Sequence, residues 1–133
     1  MTNRTIIAAI GVATLAGCAA PPDTYDFSAA DLRERIVNGH YEKGSVKNFS
    51  SHAIVPSSIG DDRIEWQIRS DSGAGFRCES QLAPANDDGT RTRIATECGG
   101  DTGSSNDMYM EVAEHSVEKL IESTLTGKPY VKD

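Results

Sequence analysis

The chain has little of several things that enzymes and membrane spans require. Aromatic residues make up 6% of it, with a single Trp. A core must therefore come mainly from Ile, Val, Leu and Ala. Cationic charge is scarce, with 13 Lys and Arg against 20 Asp and Glu, a formal charge of −7. An acidic chain repels phosphate backbones, which argues against nucleic acid as a partner. No uncharged run reaches the roughly 20 residues of a membrane-spanning helix. The strongest candidate, Thr5 to Ala20, has 16. Chemistry-bearing patterns are missing too. There is no Gly-x-Ser-x-Gly elbow, no His-x-x-x-His pair and no Cys-x-x-Cys. The glycine-rich segment Gly99-Gly100-Asp101-Thr102-Gly103 has neither the Lys of a phosphate-binding loop nor a dinucleotide spacing. No catalytic constellation, cofactor site or metal site is expected. At 133 residues the chain has room for one domain.

What is present begins at the N-terminus. Arg4 precedes an apolar stretch from Ile6 to Ala16, the pattern of a signal peptide over 1–17. The stretch ends in Leu15-Ala16-Gly17-Cys18. Small residues before a Cys at that place resemble the lipobox of bacterial lipoproteins. The resemblance covers about the first 20 residues and implies cleavage before Cys18 and acylation of that residue. It also implies, through the sorting rule of enteric bacteria, that Ala19 directs the protein to the periplasmic face of the outer membrane. Two or three acyl chains, at about 0.8 kcal/mol per buried CH2, would hold a small domain to the bilayer. Cleavage leaves 116 of the 133 residues, and loss of Arg4 takes the formal charge from −7 to −8. Residues 18–27, with Pro21 and Pro22, read as the lipidated Cys and an extended tether reaching about 25–30 Å. Residues 28–133 read as a single domain.

Within it, Ser28 caps a short helix from Leu32 to Val37, with Asp31 three residues on. Asn38-Gly39 ends the helix, Gly39 being free to turn left-handed. Val46 to Val55 reads as a strand, broken by Pro56-Ser57-Ser58. Arg63 to Arg69 alternates polar and apolar without fault, and Phe76 to Leu82 and Thr92 to Cys98 follow it. Short turns make these strands an antiparallel meander. A helix from Asp107 to Leu125, capped by Asn106 or Ser105, turns Tyr109, Val112, Ala113, Ser116, Val117, Leu120, Ile121 and Thr124 to the sheet. Its other face carries Glu111, Glu114, Glu118 and Glu122, like charges at four-residue spacing, which reads as a solvated stripe or a surface for a cationic partner. The fold class is α+β: an antiparallel sheet of about four strands under a C-terminal amphipathic helix, with a short N-terminal helix beside it.

Turn positions set the register. A turn centred near Asp88 makes facing residues sum to about 176, so Cys78 meets Cys98, Ser80 meets Thr96 and Leu82 meets Ile94. A turn centred near Ser72 pairs Trp66 with Cys78 and Ile68 with Phe76. Trp66, Ile68, Phe76, Leu82 and Ile94 then share one buried face with a Cys78–Cys98 disulfide, the alternative being two reduced buried thiols. Glu79 falls opposite Glu97, with Arg77 diagonal to relieve it.

The order of helix, strands and long final helix, with Asp88-Gly89-Thr90-Arg91-Thr92-Arg93, resembles helix-grip ligand-binding domains in truncated form over about half the chain. That resemblance brings no site residue. His40, His52 and His115 read as surface or half-buried histidines. Asp61-Asp62 and Asp87-Asp88-Gly89 read as turns, not calcium ligands. Three functions fit. The first is a lipid-anchored, non-catalytic binding or accessory module of the cell envelope, joined to the bilayer through Cys18 and to an envelope protein or small ligand. The second is a carrier of a small apolar ligand, which needs a pocket of about 300 Å3 or more between sheet and final helix. The third is an envelope hydrolase, for which His52 near Glu65 is the pairing to inspect.

Overall fold

The computed structural model of the chain describes residues 23–99 and 107–132. Cys18 and the cap candidates Ser105 and Asn106 lie outside them. In chain order the elements are β1 (Thr24–Tyr25), α1 (Ala29–Val37), β2 (Ala53–Ile59), β3 (Arg63–Arg69), β4 (Gly75–Pro84), β5 (Thr92–Gly99) and α2 (Asp107–Thr126). The strands form one antiparallel sheet in the order β1-β5-β4-β3-β2. Both helices pack on one face of it, around a single core. The protein is α+β, as its element pattern predicts.

The meander follows from strict alternation. In β3 the inward residues Ile64, Trp66 and Ile68 are buried, and in β4 Phe76, Cys78, Ser80 and Leu82 are buried. Trp66 pairs with Cys78, Leu82 with Ile94 and Cys78 with Cys98, the register that the turn positions predict. The other face is wet. There Arg63 pairs with Glu79 at 3.2 Å and Arg77 with Glu65 at 3.5 Å. Glu79 does stand opposite Glu97, and Arg63, one strand away on β3, pairs with Glu79.

Both helices hold by docking. Ser28 Oγ accepts the Asp31 N–H at 3.2 Å, the expected cap, and α1 buries Leu32 and Ile36. Without that burial a nine-residue helix would not persist. α2 buries Ala113, Ser116, Val117, Leu120, Ile121 and Leu125. Tyr109, placed on that stripe from the sequence, is 47% exposed. It sits in the first turn, before the helix reaches the core.

Four expectations need correction. Residues 46–52 form turns, not a strand, and the strand runs 53–59 through Pro56. Val46 is fully buried in the core and Phe49 packs on it against Phe76 at 4.7 Å, so both are apolar without alternating. The chain turns there with Gly44 at φ +86° and Asn48 at φ +74°. A Cβ on Gly44 would meet the Ser50 carbonyl at 2.4 Å. Pro56 survives inside β2 because β2 is an edge strand. The odd-numbered β2 residues bond to β3, so the Pro56 nitrogen faces outward where no partner is needed. Gly39 does not turn left-handed. It is needed for space, since a Cβ would lie 2.6 Å from the Tyr41 hydroxyl, which donates to the Ile36 carbonyl at 2.6 Å. Finally, the domain starts earlier than residue 28. Thr24 and Tyr25 pair with Arg93 and Thr92, and Phe27 packs on the core with its carbonyl accepting from Thr92 Oγ1 at 2.7 Å. β1 is the fifth strand, two residues long and set by long-range pairing, so no local pattern announces it.

Candidate binding groove

The groove is built on β5. Cys78 and Cys98 are disulfide-bonded with their Cα atoms 3.9 Å apart, which ties β5 covalently to β4. Beside the bridge runs a buried polar chain. Trp66 Nε1 donates to Ser80 Oγ at 2.9 Å, and Ser80 Oγ shares a hydrogen bond with Thr96 Oγ1 at 2.7 Å. Each such bond contributes about 0.5–1.5 kcal/mol net, and leaving one partner unmade costs more. The inner side of β5 is thereby fixed in place.

The outer edge of β5 is different. β1 covers only Thr92 and Arg93, plus one further bond from the Ile94 N–H to the Asp23 carbonyl at 2.9 Å. Alternation in an antiparallel strand turns the N–H groups of Ile94, Thr96 and Cys98 the same way, out from β4. The Cys98 N–H is met by Glu114 Oε2 at 3.1 Å. Among the described residues the Thr96 N–H, between them, has no acceptor. α2 runs alongside with Glu114, Glu118 and Glu122 on successive turns, one row of side chains. Between helix and strand edge lies a pocket of about 250 Å3. Ile94, Ile121 and the Tyr25 ring form its apolar surface, and Asp23, Glu118 and Glu122 its acidic rim.

Carboxylates outnumber cations at the pocket, with Asp23, Glu118 and Glu122 against Lys119 and His115. Burial, then Glu122, Asp23 and Glu118, push the Tyr25 phenol up to about 12. The Glu118 carboxyl is raised by burial first, and by Glu114 and Asp23, against a lowering from His115. His115 Nδ1 stands 3.9 Å from Glu118 Oε1. Lys119 also borders the pocket, its ammonium 5.9 Å from the Tyr130 ring. Three of the four glutamates read from the sequence as a solvated stripe, Glu114, Glu118 and Glu122, thus stand beside a strand edge, Glu114 and Glu122 half-buried and Glu118 exposed. Their spacing was visible in the sequence. The strand edge was not, because it depends on the long-range pairing of β1 along β5.

The other candidates do not converge. His40 and His115 are exposed. The His52 ring packs edge-on against Phe49 at 5.1 Å, and its Nδ1 is buried with no hydrogen-bond partner among the described residues. Glu65 pairs across from Ser57, four residues along β2 from the row of Ala53, so about 13 Å separates it from the His52 end of the strand. No hydrolytic pair forms there. Asp88 Oδ1 accepts from the Thr90 N–H at 3.1 Å and from its hydroxyl at 2.7 Å. These bonds hold the Asp88 carboxyl below its ordinary value, and they make it a turn residue. Among the described residues no three His, Cys, Asp or Glu side chains come together as a metal site, and no helix is long and apolar enough to cross a membrane. The pocket between strand edge and final helix holds about 250 Å3, close to the 300 Å3 or so expected for a carrier of an apolar ligand.

No family model, no curated protein and no solved structure matches the chain.

Proposed function

We propose that this chain is a lipid-anchored, non-catalytic binding module of the bacterial cell envelope. Residues 1–17 would export it, Cys18 would carry the acyl chains, and the domain would face the periplasm from the outer membrane. The observation that carries this reading is Leu15-Ala16-Gly17-Cys18 at the end of an apolar run. The Cys78–Cys98 disulfide supports it, since such bonds persist in oxidising compartments outside the cytoplasm. Because the fold includes Asp23 onward, the linker would be only residues 19–22, with a reach of about 14 Å at full extension. The domain would therefore work close to the bilayer surface. The acidic rim of the groove suits a cationic occupant better than the apolar ligand of a carrier.

The test is metabolic palmitate labelling with membrane fractionation, on the natural chain and on Cys18→Ser. The natural chain takes up label and sediments with membranes, and Cys18→Ser does neither. An unlabelled natural chain contradicts the anchor.

A further inference from the structure

We propose that the open edge of β5 is a docking site for an extended basic peptide segment, which adds as a strand at Thr96 and sets a Lys or Arg among Asp23, Glu118 and Glu122. This rests on the reading of the chain as a binding module, and it does not depend on the lipid.

Three observations combine. The first is the strand edge itself. Ile94 and Cys98 each have an acceptor on the outer side, at 2.9 and 3.1 Å, and Thr96 between them has none among the described residues. At Cys98 the acceptor is the Glu114 carboxylate, a side chain standing where the carbonyl of a neighbouring strand would stand. Added strands gain affinity from such main-chain groups and specificity from pockets that take alternate side chains. The second is the pocket beside Thr96, whose Ile94 and Ile121 floor fits the methylene stem of a basic side chain while its head stays at the acidic rim. The third is charge. Asp23, Glu118 and Glu122 set three carboxylates on the rim against Lys119 and His115, and after burial these carboxylates help raise Tyr25 and Glu118. An arriving ammonium or guanidinium supplies a counter-charge, and an acidic or neutral strand does not.

The chain's own N-terminal residues are poor competitors for the edge. A strand running back from Asp23 in the β1 register would bring Pro21 to Thr96. Proline could accept from the Thr96 N–H but has no N–H to give the Thr96 carbonyl, so one of the two bonds of that pair would be missing.

The experiment uses the purified full chain in detergent and three short labelled peptides, followed by fluorescence anisotropy. One alternates Lys and Val, one alternates Glu and Val, and one is the Lys–Val peptide N-methylated on alternate residues. The Lys–Val peptide binds saturably, the Glu–Val peptide does not, and N-methylation weakens binding about tenfold or more by blocking the ladder. Glu118→Gln and Glu122→Gln, checked for folding by circular dichroism, each weaken binding about twofold to fivefold, the range of an exposed ion pair. Hydrogen exchange at the Thr96 amide slows on binding. The proposal is overturned if the natural chain shows no saturable binding, if the N-methylated peptide binds equally well, or if exchange at Thr96 is unmoved. Palmitate labelling fails or succeeds separately, so the anchor and the groove are judged apart.

Discussion

The two edges of the sheet meet the same hazard in opposite ways. Both expose a row of main-chain groups that could recruit another strand. At the centre of the β2 edge the outward position is Pro56, which has no N–H to offer. At the centre of the β5 edge the outward position is Thr96, whose N–H is free among the described residues and which lies beside an acidic pocket. Among the described residues β1 and Asp23 reach Thr92, Arg93 and Ile94, short of Thr96, and Glu114 meets Cys98. One edge is blunted by composition. The other is left open and given a charge preference. An edge that is merely undefended would lack the pocket, the glutamate row and the covalent tie to β4.

Breaking that tie has the largest expected effect. Replacing both Cys78 and Cys98 with Ser should cost roughly 3 kcal/mol on the chain-entropy account of a loop this long, read as a lower urea midpoint. β5 should lose hydrogen-exchange protection before β2 does. Next is Ser80→Ala, which strips the Trp66 Nε1–H of its acceptor and the Thr96 hydroxyl of its partner. A loss of about 1–3 kcal/mol is expected in the same assay, while a loss below about 0.5 would mean the buried chain is not holding β5. Pro56→Thr restores an outward N–H on the other edge. Stability should change by less than about 0.5 kcal/mol. Sedimentation should show more self-association than the natural chain does. The smallest effect is electrostatic. Glu118 has a raised folded pKa, so the folded state holds its proton more tightly than the unfolded state does. Its stabilising contribution is complete below the ordinary glutamate pKa and is lost as pH rises through the raised value. Glu118→Gln should flatten that decline in urea midpoints measured across the acid range, and an unchanged slope would remove Glu118 as its source.

The sequence carries the β3–β4–β5 meander in full, because alternation fixes each face and turn position fixes each register. Cys78, Trp66, Ser80 and Thr96 could be placed against one another by counting alone. Local pattern failed wherever a long-range neighbour decided the outcome. Val46 and Phe49 look like strand residues until the core they pack into is known. Pro56 looks like a breaker until its strand is known to be an edge. Thr24 and Tyr25 look like tether because two residues of strand have no periodicity. The groove is the sum of such facts: the acidic row was legible as spacing, but its position beside an open strand edge needed the fold.

Hydrogen exchange on the free full chain, resolved by residue, tests the difference between the edges most directly. The Glu97 amide bonds into β4 and should be protected. The Thr96 amide should exchange on the order of a hundredfold faster, because no opening event is needed to reach it. Equal protection at Thr96 and Glu97 would mean the edge is already covered, and would contradict the account.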